Sequence, residues 1–593
     1  MRTRKAKDRA RLMQAALGRI PCDLTIGNVQ FFNVITGEIY PASVDILDGF
    51  VVLVREEGQK TILPSRSYYD GQGRYLIPGY IDTHMHIEST MMIPENLARA
   101  ILPWGTTTVC TDPHEIGNVM GLDGVRFMLE NAKKSKLRQY VLAPSCVPSL
   151  PGMENAGAEF HAEEVGELLD MDDVVGIAEI MDYVGVMHDS ERMHTIIDEG
   201  LRRGMFLQGH APYCFGRELA AYRIGGPVSD HESVNADEVR AKLRVGMHIN
   251  LRASSLIDNL SFLVDGCKDQ PWRDFVSVCT DDVHAKDLLT VGHINNVVRK
   301  AVASGLDGRE VVKMATLNAA REYGCDDLGA IAPGYIADIQ LVDALDGSRP
   351  KAVFTEGVLV AEDGKYLGGD CKTADYDLPN TVNMPQITGP ESFVLRVPEG
   401  YTGDTIRVNV MVSEDGNRIL RHVEPVELPV RDGVVDISGD PTLVFVCCAN
   451  RYGRGGKTIA VYRDFGLERG ALASTVSHDS HNFTVSYHDP KDAFRAAEIL
   501  RACGGGVCVI DGAEETHIAL PAAGLMSQKP CAEVADEIAA VQAALDAISG
   551  GRLTLLATAV MALPVLPSVV ITDMGLVNGT NQTFVPVFAD TEA

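Results

Sequence analysis

Two histidines stand two residues apart at the end of an apolar run, "LIPGYIDTHMHIEST", with a glutamate two further on: His84, His86 and Glu88. Residues two apart on a strand face the same way, so both imidazoles can converge on one ion. One His-x-His is a weak signal by itself. Later apolar runs of the same chain, however, end in Glu179 ("VVGIAEI"), His210 ("MFLQGHA"), His231 ("PVSDHE") and Asp281 ("FVSVCTDD"). Four imidazoles and two carboxylates suit Zn, Fe(II) or Mn(II). Burying them together with no cation would leave like charges uncompensated. The set exceeds the ligands of a usual open zinc site, which points to two ions with Glu179 as the bridge. Water between two cations loses a proton near neutral pH. Asp281 is placed to accept that proton and pass it to a leaving group. The chemistry is metal-assisted hydrolysis at a polar carbon.

Such residues need a scaffold that brings distant strand ends together. Eight short apolar runs alternate with helix-like segments between Tyr75 and Asp282, namely "YLIPGYID", "TTTVCTD", "QYVLAPSC", "VVGIAEI", "MFLQGHA", "PVSDHE", "HINLRAS" and "FVSVCTDD". Strands buried on both faces and separated by helices indicate parallel sheet, and eight such units predict a closed (β/α)₈ barrel over residues 76–329. Active sites of such barrels lie at the C-terminal strand ends, where the six residues stand. The flanks, 22–75 and 330–372, read as two halves of one small β-domain that the barrel interrupts. Residues 1–21 read as a basic surface helix, and residues 373–593, after a Pro-rich opening, as a separate α/β domain.

His-x-His on the first strand, an acid on the fourth, two more histidines and a last Asp resemble the amidohydrolase superfamily, many of whose members carry a carboxylated Lys where this chain has Glu179. Within it the chain resembles the bacterial adenine deaminases. The likeness rests on "PGYIDTHMHIEST", "GTTTVCTDPHEIGNVMG", "GHAP", "SDHE", "CTDDVH", "ATLNAA" and "GAIAPGYIAD", and continues in "GALASTVSHDSHN", "LPAAGLMS" and "LPVLPSVVITDMGLV". It covers nearly the whole chain from about Leu12. The resemblance implies hydrolysis of adenine to hypoxanthine and ammonia at a binuclear Fe(II) or Mn(II) centre, with Zn(II) a third option. It implies a cytoplasmic homodimer acting in purine salvage on a small-molecule purine. His84, His86, Glu179, His210, His231 and Asp281 would hold the metals, and Asp281, Glu88 and His231 would serve catalysis. Glu88, Asp112, His114 and Glu115, on the loops after strands one and two, are proposed for purine recognition or proton transfer. Asp112 could instead cap a turn, and His114 could orient a neighbouring loop.

The chain departs from the family pattern at Tyr213 and Phe215, at Ala253 where an acid is usual, and at Trp104. Tyr213 and Phe215 are expected to narrow or reshape the pocket, which opens an alternative: an amidohydrolase acting on another aminopurine, such as an N6-substituted adenine, or on a cyclic amide. A catalytically inactive barrel kept as an assembly scaffold is the remaining alternative, and the full ligand set opposes it.

The formal net charge of −28 argues against a nucleic-acid or acidic-membrane partner, because phosphates are held mainly by Lys and Arg. The thirteen cysteines are scattered and form no C-x-x-C pair, which fits a reducing compartment. No run of apolar residues is long enough to predict a membrane span. "GRGGKT", Gly453 to Thr458, lacks the first glycine of a phosphate loop and reads as a turn. "HDSHN", His478 to Asn482, is read first as a hydrogen-bonded turn, with a second metal site or a group facing the barrel mouth as the alternatives.

Overall fold

The computed structural model describes residues 6–59, 62–255, 257–369, 373–374, 376–414 and 417–589. Eight parallel strands form the central body, numbered here within the barrel: β1 (Tyr80–Met85), β2 (Thr106–Thr111), β3 (Arg138–Ala143), β4 (Val174–Ile180), β5 (Phe206–Gly209), β6 (Ser229–Asp230), β7 (His248–Arg252) and β8 (Val276–Cys279). The first five pair in order as one sheet and the last three as another. Two junctions close the ring. The Val228 amide donates to the Leu207 carbonyl at 3.0 Å between β5 and β6. The Asp281 amide donates to the His84 carbonyl at 3.0 Å between β8 and β1. Residues of β1, β2 and β4 are buried throughout, as expected of strands covered on both faces.

The predicted first barrel run divides at Gly79. Tyr75–Pro78 leaves the barrel and pairs antiparallel with Ile339–Val342, Leu76 opposite Leu341. Among the described residues it belongs to a nine-stranded sheet made from both flanks of the barrel, residues 22–78 and 339–366. Gly79 sits so close to Thr107 that a Cβ would meet its side chain at 2.2 Å, so only glycine lets the chain pass from sheet to barrel there. The basic segment forms the helix Ala6–Ala16, whose Leu12 and Ala15 pack on Cys22, Leu47 and Val52. Residues 1–5 of that predicted segment lie outside the described residues.

The C-terminal region holds a second nine-stranded sheet, among the described residues, covered by helices Pro490–Cys503 and Cys531–Ser549. It docks on the barrel mouth. One apolar cluster joins Met85, Met91 and Ile93 of the barrel side to Leu525, Val534 and Val541. Polar contacts fix the register: the Ser527 amide donates to the Met91 carbonyl at 2.8 Å, and the Asn482 side-chain amide donates to the Asn155 carbonyl at 2.8 Å. Trp104 is buried under the Arg349 guanidinium, 4.1 Å from its ring, so it serves packing. The "GRGGKT" segment leads into the strand Lys457–Arg463. No helix among the described residues is long and apolar enough to cross a membrane.

Candidate metal centre

Alternation along β1 turns Asp82, His84 and His86 inward, and the register that places them is pinned from both sides. Asp82 is fully buried and accepts the Thr280 amide at 3.1 Å and the His84 amide at 3.2 Å. Burial lifts its carboxyl to about 7 despite those hydrogen bonds. Asp281 follows β8 with φ +60°, a left-handed conformation that is costly for a non-glycine residue; it is sustained by the amide bond to His84 and keeps the carboxylate in the mouth. His231 follows Asp230, whose carboxylate lies 2.6 Å from the buried Lys242 ammonium and accepts the Ala211 amide at 2.9 Å, tying the ends of β5 and β6.

The six residues form two adjoining groups that meet at Glu179. His84 Nε2 and His86 Nε2 lie 3.1 Å apart, and Glu179 Oε1 is 3.2 and 2.9 Å from them. Asp281 Oδ1 is 3.5 and 3.4 Å from the same two nitrogens. The other Glu179 oxygen, Oε2, lies 2.5 Å from His210 Nδ1 and 3.5 Å from His231 Nε2. One carboxylate therefore offers an oxygen to each group.

These residues fit divalent cations. Two imidazole nitrogens that face each other across 3.1 Å need a proton or a cation between their lone pairs. The electrostatics point the same way. Burial opposes an imidazolium at His84, yet Glu179 and Asp281 outweigh it and raise the group to about 9. Burial would raise Glu179 and Asp281, but the imidazoles hold both well below the usual carboxylate range, with Arg252 adding to the effect at Asp281. His231 is pushed down to about 4, by burial first and the neighbouring His84 next. A buried set that draws positive charge so strongly, from N and O donors only, matches borderline and hard divalent metals.

A cavity of about 120 Å³ opens on this centre. His86, His210, His231, Glu179 and Asp281 form its floor, with His114, Glu232 and Arg252 at the sides. Its roof comes from the C-terminal region: His478, Asp479, Val560, Leu563 and Leu566. Met181 and Ile257 add apolar wall.

The four loop residues proposed for substrate are placed unequally. His114 reaches the cavity, with Nδ1 3.0 Å from Asp112 Oδ2 behind it and Nε2 3.3 Å from Asp479 Oδ1 across the domain boundary. Asp112 also accepts the His114 amide at 3.0 Å. Glu88 Oε1 accepts the Ile116 amide at 3.2 Å, and Glu115 accepts the Ser89 hydroxyl at 3.0 Å. Both carboxyls are fully buried behind the lining; burial and the Glu115 charge raise Glu88 to about 8.

Two expectations change. The "HDSHN" segment is more than a turn, because His478 and Asp479 line the cavity. Tyr213 and Phe215 do not narrow it: they are 48% and 41% exposed and lie outside its lining. Ala253 is buried but likewise outside the lining. Sequence reasoning passed over Arg252 and Glu232, although "SDHE" sets Glu232 beside the ligand His231 and "NLRAS" sets Arg252 beside Ala253.

The support behind His231 gives a stability prediction. Lys242, Asp230 and Glu238 have fully buried side chains, with the ammonium 2.6 and 3.4 Å from the two carboxylates. Lys242→Met leaves Asp230 buried and unpaired and should cost about 3–5 kcal/mol in denaturant unfolding. A loss below about 1 kcal/mol, the scale of an exposed pair, would contradict this account.

Family models match two parts of the chain: the amidohydrolase family over residues 75–360 and the adenine deaminase C-terminal domain over residues 418–583. Adenine deaminase 2 of Carboxydothermus hydrogenoformans is 37% identical, across 97% of this chain and 99% of its own. The adenine deaminase of Methanothermobacter thermautotrophicus is 38% identical, across 93% of this chain and 97% of its own. Among solved structures, a β-aspartyl dipeptidase from Fervidobacterium islandicum AW-1 aligns with 59% of this chain and 99% of its own, at 20% identity and a TM-score of 0.45.

Proposed function

The chain belongs to the adenine deaminase family, and on that premise we propose how its residues carry the reaction. The enzyme hydrolyses adenine to hypoxanthine and ammonia: a C6–O bond forms, the C6–N6 bond breaks, and water supplies the oxygen. The observation that carries the site assignment is the division of Glu179 between two ligand groups, Oε1 to His84 and His86 and Oε2 to His210 and His231. His84, His86, Glu179, His210, His231 and Asp281 would hold two divalent ions, Mn(II) or Fe(II) before Zn(II). Such ions, when bound, supply Lewis acidity and lower the pKa of water.

The chain's own groups do the rest. Asp281 takes the proton of the attacking water and delivers it to the departing amine. His231, held neutral by burial, keeps a lone pair for ligation instead of a proton. His114 presents an imidazole edge to the purine, with Asp112 fixing its ring through Nδ1. Glu88, a carboxyl raised to about 8 by burial and the Glu115 charge, supports the site from behind its lining, where it accepts the Ile116 amide of the segment that carries His114. The apolar roof of Val560, Leu563 and Leu566 covers the ring face and excludes water, which strengthens every polar contact beneath it. The reading extends to a cytoplasmic homodimer; light scattering at the eluted peak tests the dimer.

The test of substrate is ammonia release from adenine by protein loaded separately with Mn(II), Fe(II) and Zn(II), beside N6-methyladenine, guanine and adenosine. Metal-dependent turnover of adenine above the other three is expected. Faster release from another member of the panel would move the reading to that aminopurine.

A further inference from the structure

We propose that Arg252 is a positioning residue for Asp281, holding the outer oxygen of that carboxylate so that the proton path through the inner one stays aimed. The inference rests on the deaminase reading above and concerns how its proposed proton carrier is kept in place.

Arg252 ends β7, and its side chain is 1% exposed, an unusual setting for a guanidinium. Its Nη1 donates to Asp281 Oδ2 at 2.9 Å and also to Glu232 Oε1. The two oxygens of Asp281 are thereby divided: Oδ1 faces His84 and His86, and Oδ2 faces the guanidinium. An aspartate's terminal torsion is broad, so backbone placement alone does not fix the plane of the carboxylate. A donor held on the outer oxygen sets that plane, and with it the direction in which the inner oxygen points. The same nitrogen anchors Glu232, which lines the cavity and comes within 3.7 Å of His231. Arg252 thus sets the spacing of two carboxylates at one edge of the reacting carbon's site.

Packing alone does not account for the residue. The guanidinium is fully buried at the cavity edge, and its ion pairs with Asp281 and Glu232 are what offset the cost of burying a cation there. An apolar side chain would remove that cost and lose the hold on Asp281.

The test uses holoenzyme loaded with one metal: wild type, Arg252→Lys, Arg252→Ala and Asp281→Asn, each read for bound metal, kcat and KM on adenine. Arg252→Ala should keep the wild-type metal content and a KM within a few-fold, and lose on the order of 10²-fold in kcat, the scale of a small misplacement of a reacting group. Millimolar guanidinium or methylguanidinium should restore a large part of that loss in Arg252→Ala and nothing in Asp281→Asn. Lysine offers one compact donor head in place of a planar fork, so Arg252→Lys should lose roughly 10-fold. If Arg252→Ala does not fold, Arg252→Lys carries the test. Wild-type kcat in Arg252→Lys, or metal lost in step with activity and no rescue, would overturn the proposal. The wild-type rate on adenine is measured in the same series, so a failure of the deaminase reading shows there and not in the ratio between variants.

Discussion

Glu179→Gln should release bound metal and lower adenine turnover by on the order of 10³-fold or more. The expected effect is large because the two oxygens of Glu179 address both ligand groups. The amide replaces one of those oxygens by an N–H donor, which cannot ligate, and it removes a negative charge that would offset both cations. Carbonyl placement will not rescue it. The Glu179 backbone is held by the Ser145 hydroxyl, which donates to the Glu179 carbonyl, so the strand stays put while the ligand changes. Metal analysis on the purified variant, with kcat beside it, checks the claim. Two retained equivalents with wild-type kcat would remove Glu179 from the centre.

Asp281→Asn is the second large effect, and it separates ligation from proton transfer. The asparagine keeps one oxygen, for which Arg252 and the centre compete, so bound metal should fall by less than in Glu179→Gln and by less than turnover does. What it loses is a base, and general acid–base groups contribute about 10²–10⁴-fold. The loss should fall on kcat and on kcat/KM alike, because the proton moves only during the reaction. Undiminished turnover in this variant would place the proton carrier elsewhere, with Glu232 as the next group at the cavity edge.

Much of this site was legible in the chain, for a specific reason. Parallel barrel strands are buried on both faces and write continuous apolar runs, so a polar residue ending such a run stands out; His84, Glu179, His210, His231 and Asp281 all do. The division at Gly79 was less legible, because "YLIPGYID" is one apolar run although its two halves serve different sheets. Arg252 escaped for a different cause. A charged residue at a strand end reads as solvated, and only the tertiary structure shows Asp281 and Glu232 closing over it. His478 and Asp479 lie about 200 positions after Asp281, in a region with its own sheet, and no local pattern states that this sheet docks on the barrel mouth. The contact of Asp479 with His114 is a product of that docking.

The docking also limits how the molecule can be dissected. The apolar cluster shared by Met91 and Leu525, with the cavity roof from Val560, Leu563 and Leu566, makes the C-terminal region part of the site. Among the described residues the free thiols are nearly all buried, so they serve packing as small apolar groups.

The central claim is a two-ion centre bridged by Glu179, and a metal titration tests it most directly. Metal-free protein receives Mn(II) in steps under anaerobic conditions, with ammonia release from adenine measured at each step. The account predicts no turnover without metal and a rise that levels at two equivalents per chain. Full activity at one equivalent, or turnover in the metal-free protein, would contradict it.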